Sequence, residues 1–190
     1  MKDNTKIRQS LSFSNSISSR VTCHASSVTN FYDLCNVSNP QFMTKSEKAT
    51  ALFSQGFNCS QSVLTAFSKE FSLSEDECMK ISSAFGGGMG RRQLTCGAVT
   101  GALMVLGLHY GRAKGDDISK KVNTYRKTNE FFEAFIRQHG SANCKDLLQG
   151  LDMNDAGDFK IIEELNLFQT TCYKCVQDAV EITEMIIQND

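Results

Sequence analysis

Proline is nearly missing from this chain: its 190 residues contain one, Pro40, and tryptophan is absent altogether. Proline in a helix interior removes a donor and costs about 3 kcal/mol, so nothing from Gln41 onward carries that kind of break. Alternating apolar and polar runs of useful length are lacking as well, which leaves a sheet without a basis, and there is no internal repeat. Neither sign of charge is in excess. Twenty Lys and Arg against 21 Asp and Glu give a net charge of −1, which argues against nucleic acid as a partner. The longest apolar run, Ala98 to Leu108, is interrupted by Thr100 and Gly101 and falls short of the roughly 20 residues a membrane span needs. No basic stretch followed by an apolar one opens the chain, which argues against a secretory leader. Eight cysteines in that setting point to thiol, metal or redox use in the cytoplasm rather than to a disulfide scaffold.

What is present is helical. A chain of this length suits one domain with a sizeable core. Residues 1–42 are rich in Ser, Thr and Asn without apolar periodicity and read as a poorly ordered N-terminal extension. Lys2, Lys6, Arg8 and Arg20 outnumber Asp3 in its first half, as in a targeting peptide, while Met43 directly before a helix start fits an alternative beginning of the domain. From 43 to 190 the expected architecture is a single-domain, all-α helical bundle. Thr44 with Glu47, Asn58 with Gln61, and Ser74 with Glu77 are spaced as capping boxes. Val63, Leu64, Phe67 and Phe71 fall on one face of the second helix. "TCGAVTGALMVLGLHY" is apolar nearly all round and is expected to be the buried central helix, ending at Gly111. A long amphipathic helix spans Asp116 to His139, with Val122, Tyr125, Phe132, Phe135 and Ile136 expected inward. A short helix from Cys144, a turn near Ile161 and a last helix from Cys172 to Gln188 complete the pattern.

The cysteines carry the chemistry. Cys59, Cys96, Cys144 and Cys172 each follow an Asn or Thr at the start of an expected helix. Each is thereby expected at the first helical position, where the helix dipole favours thiolate over thiol. A dipole contributes about 0.3–1 kcal/mol at exposed sites, under one pKa unit, enough to poise a thiol but not to ionise it outright. If the four converge, like charges prevent all from ionising together without a cation, protons or disulfides. A convergent set is thus a metal or iron–sulfur site or a set of redox pairs. The plain alternative is four small apolar core residues, or a structural zinc site in a non-catalytic module. Their wide separations match no zinc-ribbon or ferredoxin run. Cys78, inside a helix, reads as core, and Cys23 and Cys35 fall in the extension. Cys175 forms a C-x-x-C with Cys172 and competes with it for the fourth place.

"GGGMGRR" is not a phosphate loop, since no Gly-Lys-Ser/Thr follows it and no strand precedes it. Arg91 or Arg92, if the loop folds back, would lower the pKa of Cys96. Gly97 and Gly101 each cost about 1 kcal/mol against alanine in a helix, which implies a close approach there, by default of another helix. His109 and His139 lie at helix ends and read as dipole partners.

"GFNCSQSVLTAF", "FGGGMGRRQLTCGAVTGALMVLGLHYG", "CKDLL" and "CYKCVQDAVEI" resemble the C_GCAxxG_C_C family, whose members are described as redox-active on the strength of their cysteines. Its C-G-A-x-x-G motif stands here as Cys96-Gly97-Ala98-Val99-Thr100-Gly101, and the resemblance runs from Met43 to Ile186. It implies Cys59, Cys96, Cys144 and Cys172 as the functional set, acting as dithiol/disulfide pairs or as ligands of an iron–sulfur or other metal centre. A redox partner is implied; nucleic acid and membrane are not. In the dithiol version Cys96 is expected to be the nucleophile and Cys59 its resolving partner.

Overall fold

The computed structural model describes residues 43–190; the extension expected over 1–42, with Cys23 and Cys35, lies outside the described residues. Helices α1 (Lys45–Ser54), α2 (Cys59–Ala66) and α3 (Glu75–Ser82) each begin at the expected capping box, with both reciprocal bonds made. In the second of these, Asn58 accepts from the Gln61 amide at 3.0 Å and the Gln61 side chain accepts from the Asn58 amide at 3.1 Å. A 3-10 turn, Ser83–Phe85, leads into the glycine turn Gly86–Met89 (α4) and then into α5 (Gly97–Tyr110). The chain continues through α6 (Ile118–His139), α7 (Cys144–Leu147), α8 (Ala156–Glu164), a π turn Phe168–Cys172, and α9 (Tyr173–Gln188). No strand occurs among the described residues; the fold is all-α.

Helix α5 is central, packing against α2, α6 and α9, and α1 closes the bundle against α2 and α9. Its glycines set how closely α2 crosses it. A β-carbon on Gly101 would lie 2.9 Å from Val63 Cβ and 3.0 Å from the Ser60 carbonyl oxygen; on Gly97 it would lie 3.1 Å from Cys59 Cβ. The crossing therefore fits only glycine at these points, and it brings the start of α2 against the start of α5. The Cys59 and Cys96 positions meet as a consequence.

Two expectations fail in instructive ways. On α6 the buried stripe is Lys127, Phe131 and Phe135, whereas Val122, Tyr125 and Ile136 are exposed and Phe132 only partly buried. Lys127 can face inward because Asp190 Oδ1 lies 3.0 Å from its Nζ and the Tyr110 ring lies beneath it, so the charge is paired rather than stranded. Near Ile161 the chain forms a full helix, α8, because Asp155 accepts from the Gly157 and Asp158 amides and so starts it.

The apolar interior divides in two. The main core gathers Val63, Phe67, Val99, Val105, Phe131, Phe135, Val176 and Ile182 with Cys96 and Cys175. A smaller one gathers Leu148, Met153, Ile162 and Leu167 with Cys144 and Cys172. Cys96, Cys175, Cys144 and Cys172 thus lie along the seam between them.

Candidate functional site

Five cysteines meet at that seam, although not all by the route expected. Cys59 is the first residue of α2 behind an Asn58 cap. Cys144 is the first residue of α7, but Asn143 makes no capping bond there. Backbone pairing holds this residue in place: Cys144 N donates to Leu94 O at 2.7 Å, Cys96 N donates to Ala142 O at 2.8 Å, and Thr95 and Asn143 form an isolated antiparallel bridge. Two segments nearly fifty residues apart in the chain are thereby clamped side by side, each carrying one cysteine.

Cys96 is itself the cap residue of α5, in extended backbone, rather than the first helical residue behind a Thr95 cap. Cys172 departs furthest from expectation. It ends the π turn Phe168–Cys172 with right-handed helical backbone that runs straight into α9, so no helix N-terminus begins at Thr171 and the dipole argument does not apply to it. A single π turn inside a helix is characteristic of functional positions, and here it aims Cys172 toward the seam.

The thiols perturb one another in pairs. The neighbouring Cys172 thiol, burial and the nearby Cys96 and Cys144 push the Cys59 thiol well above its ordinary range. The neighbouring Cys175 thiol holds the Cys96 thiol below its ordinary value, helped by the Ala98 and Val99 amides at the start of α5 and opposed by burial. Cys96 and burial push Cys175 far up. Burial, with Cys96 and Cys172 nearby, pushes Cys144 up to about 12. All of these sulfurs are free thiols, and all but Cys59 are buried. Cys78 is buried in the main core, as its place inside a helix implied.

The arginines do not act on Cys96. Arg91 donates to the Met153 carbonyl oxygen and lies over the Phe159 ring, and Arg92 is exposed. What the glycine loop supplies is shape. Gly87, Gly88, Met89, Gly90 and Arg91 all have left-handed φ values between 61° and 65°. Such a run is costly for residues with a β-carbon, about 1–2 kcal/mol each. It lets Gly88 sit directly against Cys144, where a β-carbon would be 2.7 Å from Cys144 Cβ. Gln93 then ties the loop to the small core by donating to Leu151 O at 2.7 Å and accepting from Met153 N at 3.0 Å.

One group at the site was not legible in the sequence. His139, the last residue of α6, places Nδ1 3.7 Å from Cys175 Sγ and Nε2 3.1 Å from Asp178 Oδ2. Lys174 Nζ lies 2.7 Å from the other Asp178 oxygen. Cys175 and Asp178 are three apart on α9 and so share a face; their histidine comes from 36 residues upstream of the cysteine.

Among the described residues, no three His, Cys, Asp or Glu side chains are spaced to hold a metal ion together, and no helix is long and apolar enough to cross a membrane. No curated protein and no solved structure matches the chain. Residues 57–186 match the family model described as "Putative redox-active protein (C_GCAxxG_C_C)", a span that includes every cysteine of the seam, and the chain belongs to that family.

Proposed function

We propose that this is a thiol–disulfide redox protein whose reactive pair is Cys96 and Cys175. The observation that carries the reading is that Cys96 and Cys175 are buried together in the main core, the Cys96 thiol held below its ordinary value and the Cys175 thiol pushed up. An attacking sulfur beside a protonated resolving sulfur is the asymmetry that thiol–disulfide exchange requires. Cys96 keeps the nucleophile's role; Cys175 takes the resolving role from Cys59, which is engaged with Cys172. Cys59 and Cys172 make a second dithiol, and Cys144 lies close enough to Cys59 for its charge to be felt there.

A second reading, with Cys59, Cys96, Cys144 and Cys172 as ligands of an iron–sulfur or zinc centre, draws on the convergence of the four. It ranks below the first because, among the described residues, no three His, Cys, Asp or Glu side chains are spaced to share one ion.

The test is to react the reduced protein with hydroxyethyl disulfide, quench with acid and map the products by peptide mass spectrometry. The reading expects a Cys96–Cys175 disulfide in the native sequence, a mixed disulfide retained on Cys96 in Cys175→Ser, and neither in Cys96→Ser. Cys96 left inert while other thiols react defeats it. Iron with broad absorbance near 400 nm, or stoichiometric zinc, after anaerobic purification favours the second reading.

A further inference from the structure

His139 and Asp178 are buried, with side chains 9% and 8% exposed, and lie between the Cys175 thiol and the exposed Lys174. A histidine serving only to end α6 would need no thiol on its second nitrogen. This one packs against the Phe135 ring, tilted by 33° at a centroid distance of 4.4 Å, and turns Nδ1 toward the sulfur that must lose a proton if it is to attack. Its Nε2 contact with Asp178 is close but off the line of a hydrogen bond. Such catalytic contacts often tighten only when charge develops. Burial lowers the His139 pKa, Asp178 opposes that shift and Lys174 adds to it, so the ring is neutral near pH 7. With Nε2–H facing the carboxylate, the Nδ1 lone pair is left for the Cys175 proton.

We propose that His139, oriented by Asp178, is the general base and acid of the resolving step. The proposal rests on the dithiol reading above and adds to it the route of the proton. Cys96 thiolate attacks one sulfur of a small organic disulfide, forming a mixed disulfide and releasing the first thiolate, which takes a proton from water. His139 Nδ1 then accepts the Cys175 proton, and the imidazolium is held by the Asp178 carboxylate. The Cys175 thiolate attacks Cys96 Sγ, the Cys96–Cys175 bond forms, and the bond to the substrate sulfur breaks. The departing thiolate receives the proton from His139. The protein loses two electrons and one proton, water supplies the second proton, and the disulfide becomes two thiols.

Rapid acid quench with hydroxyethyl disulfide separates the steps, because the mixed disulfide on Cys96 and the closed Cys96–Cys175 pair differ in mass. In the native protein, closure is expected to rise with pH through a group below about 6.5 and then stay level to about pH 9. His139→Gln is expected to slow closure at pH 7.5 by about 100-fold or more, the usual contribution of a general base. Its closure rate should then climb roughly tenfold per pH unit, as direct ionisation of Cys175 takes over. Asp178→Asn should slow the same step by a smaller factor. Closure in the native protein that itself climbs tenfold per unit from pH 6 to 9 overturns the proposal without any variant, as does closure unchanged in His139→Gln. If no mixed disulfide ever forms on Cys96 in the native protein, the dithiol reading fails first and takes this one with it.

Discussion

Gly101 and Gly107 lie on the same helix and predict opposite outcomes for the same substitution. At Gly101 an added methyl meets Val63 Cβ at 2.9 Å and the Ser60 carbonyl at 3.0 Å, atoms that cannot swing aside. Overpacking of this kind costs about 1–3 kcal/mol, against which alanine recovers about 1 kcal/mol of helix propensity. Gly107 is exposed with nothing within 4 Å, so only the propensity gain applies. Gly101→Ala should lower stability by up to about 2 kcal/mol and Gly107→Ala raise it by up to about 1 kcal/mol, as read from urea unfolding. The close approach at Gly97 and Gly101 was legible because a buried helix tolerates such residues only for a reason. Other residue-scale features were legible only in part. Cys59 sits where its capping box puts it, whereas Cys172 was assigned to a helix start because Thr171 resembles a cap, and the π turn that fills that place has no sequence signature. His139 could not be found from neighbours in the chain, since both its partners lie on another helix.

At the scale of elements, the glycine turn and α6 show where periodicity stops deciding. Helix α6 carries two apolar stripes. Val122, Tyr125 and Ile136 form the more regular one, yet it faces out, because the other carries Phe131 and Phe135 and a lysine whose charge is met by residues at the end of α9 and beyond. Only tertiary partners distinguish the two. The turn after Phe85 raised the opposite difficulty: its glycines were conspicuous, but the sequence did not reveal that they run left-handed together. Gly88→Ala therefore combines a left-handed β-carbon, about 1–2 kcal/mol, with contacts of 2.7 Å to Cys144 Cβ and 2.8 Å to Gln93 Cα. Gly90→Ala carries the same backbone strain, but its nearest neighbour is 3.9 Å away. Both variants should lose stability, and Gly88→Ala more. Only Gly88→Ala should also loosen the loop from α7, speeding alkylation of Cys144 in the folded protein as measured by mass spectrometry. Equal alkylation in the two variants would mean that the loop does not hold Cys144 in place.

For the molecule as a whole, two apolar cores share a seam lined with thiols and one buried histidine, and this arrangement sets a pH window of stability. On the acid side, His139 has a folded pKa below its ordinary 6.5. The unfolded chain therefore takes up this proton first, and stability falls as pH drops from about 6.5 toward the folded value. The carboxylates Glu77, Asp116, Asp117 and Asp152 have folded pKa values below their ordinary 3.8–4.5, so their contribution is lost only at lower pH, in a separate step. On the alkaline side, Cys59, Cys78, Cys144 and Cys175 are raised above the ordinary thiol value of 9.0, Cys144 to about 12. Unfolded thiols ionise first there, so the stability these groups confer is complete below about pH 9 and drains away as pH rises toward their folded values. Cys96, shifted down, acts in a different range: the stability it confers is complete above about pH 9 and is lost as pH falls toward its folded value. Urea midpoints measured under reducing conditions should rise from acid pH to a maximum near pH 9 and decline above it. His139→Gln should abolish the decline just below pH 6.5 while leaving the carboxylate step and the alkaline limb in place. Forming the Cys96–Cys175 disulfide removes both thiols from the titration, including one of the four that are raised. The alkaline limb should therefore become shallower in the oxidised protein, and an unchanged limb would show that Cys175 is not the thiol buried at that cost.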